Sequence, residues 1–563
     1  MNQQRTAKKQ FKPTDGNNPN KVANATHLPP QYLAKHLPKP NLGVGSALFC
    51  LAACLSGNTA KAQITLDNFT PGVTADDTTL TPDVDNTIEI GESLGLRPGN
   101  GSAPGPNLFH SFAQFGIGAE QVALFTQNIN DGSDPISNVI ARVSGGELSL
   151  LDGLLRSNIE GADFWLVNPA GVMFGEDAAI DVGGIQGGSF NAGASDFIVF
   201  ANGERLGTSS SDVELSVSNP VGFGFLDEGS AMGQLSLNGT RLVSNTATVN
   251  RFNGLSFAGH QIEIDSNSAI TTQTGTEISG DIGVHANDRL IFNGSLTSLD
   301  GFDREDLAGN TGGSIHLSGN DIQLDGAQIS SLNNGRSNDS GLIQISATGN
   351  IEANQANGTD ELTTQLTSYS PRGRNAGASE IQLTAEGSIL LADTVIASAT
   401  NGDGQVSGSD GDITLSAQQQ LVLDNTAVVT RTTGDTQAGD IRLSADVIQI
   451  QRARTAELDE SLFRATGLIL GEGVQSSSGP EAEVEDPDLR TTGDAGNVTL
   501  VGRQIELANG ANVSSSTFAF GDAGNVYLDG EELISIKGVA ADETSDAIPV
   551  SYTHLTLPTI YSV

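Results

Sequence analysis

Short apolar alternations, separated by glycine and small polar residues, recur along most of the chain. The clearest copy begins at Gly496 and has its apolar positions at Val498, Leu500, Ile505 and Leu507. Alternation with a period of two places every second side chain on one face, which is typical of a half-buried β-strand. Each copy therefore predicts a set of short strands joined by tight turns.

The copies are regularly spaced, and the spacing predicts the fold. They begin 28 residues apart at three places, which are Gly313 and Gly341, Gly411 and Gly439, and Gly496 and Gly524. The longer interval from Gly439 to Gly496 is interpreted as close to two units. Strands that recur at a fixed period pair best with their own counterparts one unit away, in parallel. We expect an all-β fold, a right-handed parallel β-helix (solenoid) of the single-stranded type, with an N-terminal cap and extra-helical elements.

Two long intervals, 351–375 and 451–492, break this rhythm and are interpreted as surface excursions or irregular coils. A β-propeller is the rival repetitive architecture, but its units are longer and richer in aromatic residues. Only 5% of this chain is aromatic, and it has a single Trp. The composition therefore favours the β-helix.

The chain is strongly acidic, with 67 Asp and Glu against 27 Lys and Arg and a net charge of −40. Nucleic-acid binding depends on clustered basic side chains, so we expect no nucleic-acid partner. The basic residues are concentrated at the N terminus, ahead of an apolar run over residues 42–55. That run is too short to span a bilayer as a mature helix.

This N-terminal arrangement predicts a signal peptide over residues 1–62. Ala60 and Ala62 form an A-x-A site, which places the cleavage after Ala62. The alternative is lipoprotein processing at Cys54, which ends the sequence LAAC. Cys50 is the only other cysteine, so cleavage after Ala62 leaves a mature chain that cannot form disulfides.

Three ordered motifs give the region after residue 63 a distinctive character: PNLFHSF at 106–112, NVIARVSGG at 138–146 and ADFWLVNPAGVMFG at 162–175. Together with SNPVGFGF at 218–225, they resemble the N-terminal secretion domain of filamentous haemagglutinin-like exoproteins of two-partner secretion systems, particularly the cyanobacterial branch. The resemblance implies a secretion domain over residues 63–310 and a β-helical shaft over residues 311–550. Residues 551–563 abandon the pattern and are interpreted as a non-native tail.

The resemblance also implies a function. Such a protein crosses the inner membrane by the Sec route, is recognised in the periplasm by an outer-membrane β-barrel transporter, and reaches the medium or the cell surface. Its shaft would act as an adhesin or surface structure, with host or neighbour-cell glycans or proteins as targets. The alternatives are a polysaccharide-active β-helix enzyme and the stalk of a truncated contact-dependent toxin.

The candidate recognition residues are Asn107, Leu108, Asn168, Pro169 and Gly171. The family's N-P-N-G signature is N-P-A-G here, because Ala170 stands where Asn is expected. Asn followed by Pro, with Gly in the fourth place, is also a good type I turn, so a structural role and a direct contact with the transporter both stay open.

Other chemistry finds little support in the sequence. The histidines between the signal peptide and the tail, His110, His260, His285 and His316, have no metal-ligand spacing. The acidic stretches 131–134 and 408–412 could bind calcium but lack the repeated nonapeptide motif of calcium-loaded β-rolls. Asp and Glu lie mostly beside Gly in turns. We therefore expect no enzyme activity, no cofactor and no metal.

Overall fold

A computed structural model describes the chain between residues 63 and 537 with gaps. The described ranges are 63–67, 79–100, 103–128, 135–208, 215–226, 233–244, 250–273, 280–300, 313–333, 341–354, 364–370, 378–400, 411–453, 455–457, 469–479, 492–518 and 520–537. The predicted signal peptide with Ala60 and Ala62, the lipoprotein alternative at Cys54, the stretch 131–134 and the tail 551–563 lie outside these residues.

The N-terminal half of the described chain contains one short 3₁₀ turn (Glu92–Leu94) and a series of strands. These strands are β1 (Ile64–Leu66), β2 (Thr79–Leu80), β3 (Thr87–Gly91), β4 (Gly99–Asn100), β5 (Ala103–Pro104), β6 (Asn107–Phe115), β7 (Val122–Thr126), β8 (Asn138–Val143), β9 (Ser149–Leu151), β10 (Leu154–Ser157), β11 (Asp163–Val167), β12 (Val172–Phe174), β13 (Ala179–Asp181), β14 (Ser189–Ala194), β15 (Phe197–Phe200), β16 (Arg205–Gly207), β17 (Pro220–Gly224), β18 (Gln234–Leu237), β19 (Arg241–Ser244), β20 (Gly254–Ile264), β21 (Ala269–Gln273), β22 (Ile282–Phe292) and β23 (Ser295–Asp300).

The C-terminal half consists of further strands and turns. These strands are β24 (Ile315–Gly319), β25 (Asp321–Gln323), β26 (Gln328–Asn333), β27 (Ile343–Ala347), β28 (Ile351–Ala353), β29 (Thr364–Ser370), β30 (Ile381–Ala385), β31 (Ile389–Ala392), β32 (Thr394–Thr400), β33 (Ile413–Ala417), β34 (Gln420–Thr432), β35 (Ile441–Ser444), β36 (Val447–Ala453), β37 (Thr455–Glu457), β38 (Ile469–Glu472), β39 (Val474–Ser478), β40 (Val498–Ala508), β41 (Val513–Thr517) and β42 (Val526–Ile536). Among the described residues there is no α-helix, and hence none that could cross a membrane.

Successive coils repeat three strands, each paired in parallel with its counterpart one coil away. In one coil these are β24, β25 and β26, which pair with β27, β28 and β29 of the next. We call the resulting ladders the first, second and third faces. The first face runs through β6, β8, β11, β14, β20, β22, β24, β27, β30, β33, β35, β40 and β42. The predicted all-β parallel β-helix is confirmed.

The apolar positions of the repeat stack inside the helix. On the first face, Ile315, Ile343, Ile381, Ile413 and Ile441 are successive cross-coil partners, and each is 0% exposed. Burying one such side chain contributes roughly 1.5–3 kcal/mol. Each inward residue contacts the residues at the same position in the coils above and below. Each added coil therefore extends the stack, and no disulfide is needed to hold it.

The glycines and small polar residues of the repeat also have a structural reason. Ser476, on the third face, donates from Oγ to the carbonyl of Gly439 (3.2 Å) and accepts the N–H of Gly496 (2.8 Å). It therefore joins the glycines that begin two successive coils. A Cβ on Gly496 would lie 2.3 Å from the Gly439 carbonyl oxygen, so this close approach of two backbones requires glycine.

The interpretation of the long interval from Gly439 to Gly496 as two units is wrong. Ile441 pairs directly with Val498, so the interval is one coil with a long insertion, part of which is the antiparallel hairpin of β37 and β38. Other coils also differ in length, since Ile343 lies closer in sequence to its partner Ile315 than to its partner Ile381. Pairing between coils fixes only the strands, and the lengths of the connecting segments outside the ladders can vary.

Three elements at the N-terminal end depart from the parallel ladders, and one of them is the short antiparallel pair of β4 and β5. β1 pairs antiparallel with both β2 and β6, which covers the first coil in the manner of a cap. β15, β16 and β17 form a separate antiparallel sheet with β15 in the centre, outside the coil ladders.

Candidate functional site

The N-P-A-G motif forms the corner between β11 on the first face and β12 on the second. The N–H of Gly171 donates to the Asn168 carbonyl (3.1 Å), and the N–H of Ala170 donates to Asn168 Oδ1 (2.9 Å). Gly171 has a φ of +125°, and a Cβ there would lie 2.9 Å from the Gln234 carbonyl. The corner is thus a tight turn in which position 171 favours glycine.

The Asn168 side chain is directed into the protein. Its Nδ2 donates to the Glu147 carbonyl (2.8 Å) and to Ser149 Oγ (2.9 Å), and the residue is 0% exposed. Asn168 therefore ties its own corner to the corresponding corner of the preceding coil. Pro169 and Ala170 are the partly exposed residues of the turn.

Asn107 and Leu108 begin β6 and are also buried, each at 0% exposure. Leu108 belongs to the inward stack. Asn107 Nδ2 donates to the carbonyls of Ser216 (2.9 Å) and Ser218 (2.6 Å), and its Oδ1 accepts from Asn138 Nδ2 (2.9 Å). The amide of Asn107 is thus held between the first face and the segment that precedes β17.

The structure does not gather the candidate residues into one patch. Asn107 starts β6, β6 pairs with β8, and β8 pairs with β11. Asn168 follows the end of β11. The two motifs therefore lie at opposite ends of first-face strands, two coils apart.

A buried ion pair, which the sequence reasoning did not identify, joins the cap to this region. Arg142 Nη2 lies 3.6 Å from Asp67 Oδ2, its Nε donates to Ser111 Oγ (2.7 Å), and its Nη1 donates to the Gly207 carbonyl (3.1 Å). Burial lowers the pKa of Arg142, and the charge of Asp67 acts in the opposite direction. A lone Arg inside the apolar strand NVIARV was the signal that could have indicated it.

His110 is the buried histidine of the first motif. Its ring packs between Phe112 and Phe125, with centroid separations of 6.2 Å and 5.3 Å. Burial lowers the pKa of His110 from 6.5 to about 4, opposed in part by the nearby backbone of Leu94. The ring is therefore neutral at pH 7 and serves as a packing group.

No group of three or more His, Cys, Asp or Glu side chains suited to a metal ion occurs within the described ranges. Carboxylates on adjacent coils are used to hold the turns. The N–H of Asp440 donates to Asp412 Oδ1 (2.7 Å), and the N–H of Asn497 donates to Asp440 Oδ1 (2.6 Å). Burial raises the pKa of Asp412; the hydrogen bond from the Asp440 N–H opposes this rise, and the charges of Asp440 and Glu380 add to it.

Residues 72–353, which are 282 of the 563 residues, match the TPS secretion domain family. The chain belongs to this family. It is therefore an exoprotein of two-partner secretion, a secreted substrate whose family implies a partner transporter in the outer membrane. The family is one of secreted domains and is not an enzyme family. No curated protein matches the chain.

Proposed function

We propose that residues 63–310 are the part of this TPS exoprotein that its transporter recognises, and that residues 311–550 form a shaft of the haemagglutinin-like, cyanobacterial type. In this proposal the chain enters the periplasm by the Sec route and loses residues 1–62 by cleavage after Ala62. It then threads through the transporter and folds outside, at the cell surface or in the medium.

The burial of the motif residues is the observation that carries the proposal. Leu108 and Asn168 are inaccessible once the coils have formed, and Asn107 is inaccessible once the segment that precedes β17 has packed over it. If these residues are a signal, the transporter must read them in a chain that has not yet folded. A mature chain that has lost Cys50 and Cys54 suits this order, because without cysteines it can remain unfolded in an oxidising compartment.

In this proposal Asn168 contacts the transporter before the chain folds and stabilises the turn after the chain has folded. In the folded protein every polar group of its side chain is bonded internally, which favours a structural role there. A contact in the folded state would fall on Pro169 and Ala170, the partly exposed residues. Ala170 is the position that departs from the family pattern, and its methyl side chain has no group that could form a hydrogen bond with the transporter.

Export and stability of matched asparagine variants test this proposal. Asn250 is a buried asparagine outside the motifs, 7% exposed, whose Oδ1 accepts the N–H of Ile180 (2.8 Å). Asn168→Ala and Asn250→Ala should both destabilise the fold, because each removes buried hydrogen bonds worth about 1 kcal/mol apiece. A recognition role requires that only Asn168→Ala loses transporter-dependent export beyond what its lost stability explains. Equal export losses in both variants would leave only the turn role.

The proposed biological role of the shaft is adhesion or surface structure, with glycans or proteins of other cells as targets. The support is its polar, acidic exterior on a long stacked core, with carboxylates such as Asp412 and Asp440 engaged in turn bonds rather than free for catalysis. Binding of the purified protein to cells and to a glycan array would test this. If it bound neither, only a structural role would stand.

A further inference from the structure

The antiparallel sheet of β15, β16 and β17, which we call the lid, covers the first face at β6, β8 and β11. Ile198, Phe200 and Leu206 of the lid are at most 1% exposed and pack against a cluster that includes Phe109 and Ile140 of the coils. This outward surface of the first face is apolar, and without the lid it would be open to solvent.

Polar contacts fasten the lid at its margins. The chain leading into β17 supplies the Ser216 and Ser218 carbonyls that accept from Asn107, and Asn219 Oδ1 lies 3.3 Å from Asn138 Nδ2. On the opposite side, the carbonyl of Gly207 in β16 accepts from Arg142. These contacts join residues that are 65 to 111 positions apart in the chain.

The lid and the coils beneath it have separate backbone hydrogen bonds. β15 pairs only with β16 and β17 among the described strands, whereas β6, β8, β11 and β14 pair with one another. The coils can therefore form their ladder while the lid is open. The lid adds side-chain burial and a few polar bonds, so it can close as a distinct step.

We propose that the lid competes with the transporter for the apolar first face, and that its closure releases the secretion domain. This inference rests on the proposed function. The face around Phe109 and Ile140 precedes the lid in the sequence and emerges first. Until Gly224 has followed, the face can bind an apolar surface of the transporter through these outward side chains, and lid closure then buries it together with Asn107.

Trp165 provides a direct readout of lid closure in the full chain. It is the only Trp, is 7% exposed, and its ring lies 5.4 Å from that of Phe223 in the lid. Leu206→Asp places a charge in the buried side of the lid, and Val221→Asp places the same charge on its exposed side, where Val221 is 60% exposed. Leu206→Asp should weaken closure at least about tenfold, given the burial of a full leucine side chain.

The solution experiment compares quenching of Trp165 fluorescence by acrylamide with the far-ultraviolet circular dichroism of the strands. We expect Leu206→Asp to expose Trp165 while the strand signal is kept, and Val221→Asp to behave as the unaltered protein. Protection of Trp165 in Leu206→Asp would overturn the proposal, as would exposure of Trp165 in both variants. Loss of the strand signal in Leu206→Asp would also overturn it, because the lid would then be integral to the stack.

The second experiment uses co-expression with the partner transporter and measures the fraction of chain that co-purifies with it. Leu206→Asp should raise this fraction, and Val221→Asp should leave it unchanged. An unchanged fraction in Leu206→Asp would refute competition for the face. If export of the unaltered chain did not require the transporter, the proposed function would fail, whereas the fluorescence result would still show whether the lid closes as a separate step.

Discussion

Acidification should destabilise the N-terminal coils through His110. In the unfolded chain a histidine titrates near 6.5, whereas in the folded protein burial lowers the pKa of His110 to about 4. Above pH 6.5 the ring is neutral in both states, and the contribution is zero. As the pH falls from 6.5 towards 4, the unfolded chain takes up a proton that the folded protein does not, so stability is lost.

The size of the effect follows from the gap between these two pKa values. At about 1.4 kcal/mol for each pH unit, the gap between 6.5 and about 4 corresponds to a loss of roughly 3 kcal/mol, complete below pH 4. Such a loss is a large fraction of the stability of an ordinary domain. The N-terminal coils should therefore unfold at lower denaturant concentration at pH 4 than at pH 7.

Urea unfolding followed by Trp165 fluorescence measures this effect locally, because β11, which carries Trp165, is separated from β6 only by β8. Far-ultraviolet circular dichroism recorded in parallel distinguishes unfolding of the coils from opening of the lid. His110→Leu removes the titrating group, and His316→Leu removes an exposed histidine from a distant coil. Carboxylates titrate equally in all three proteins. The unaltered protein and His316→Leu should each lose about 3 kcal/mol relative to His110→Leu between pH 7 and pH 4. Parallel pH profiles for His110→Leu and the unaltered protein would refute the reasoning.

Three further predictions concern the stack, the corner and the ion pair. Ile381→Ala should lower the free energy of urea unfolding by about 2–5 kcal/mol, whereas Thr384→Ala, on the exposed side of the same strand, should change it by under about 0.5 kcal/mol. Gly171→Ala should lower the melting temperature, because φ is +125° and the added Cβ has no space; an unchanged melting temperature would contradict this. Asp67→Ala should lower the free energy of urea unfolding by about 3–5 kcal/mol, because it removes the acidic partner of an arginine side chain that is only 2% exposed. Arg142→Met should lower it by less, because the Asp67 carboxylate that is left behind is 13% exposed and still accepts from Ser111 and Ser144; the reverse order would count against the ion pair.

The repeat pattern was sufficient to predict the coils because the inward and outward positions of each strand alternate along the sequence itself. Ile315 and Ile343 are readable as partners since they occupy the same position in two copies of the repeat. Extra residues are inserted between Ile441 and Val498, and counting residues there predicts two coils where there is one. Pairing depends on the side chains of the strands and not on the distance along the chain.

The candidate site was less predictable. The sequence identified Asn107 and Asn168 as special, but not that Asn107 is held by carbonyls that follow 109 and 111 positions later. Backbone carbonyls carry no residue identity, so no sequence pattern marks Ser216 and Ser218 as its partners. Extra-helical elements were predicted, but the position of the lid was not, because its strands are short and irregular and their cover over Trp165 is a long-range contact.

The unequal lengths of the coils make this β-helix a natural scaffold for display. The pairing of Ile441 with Val498 keeps its register across a long insertion, while the next rung, from Val498 to Val526, closes over a much shorter stretch of chain. Loop closure grows only slowly more costly with loop length. Foreign epitopes or whole small domains could therefore be inserted at such a connection, and variation in natural relatives could accumulate there, without disturbing the rungs on either side.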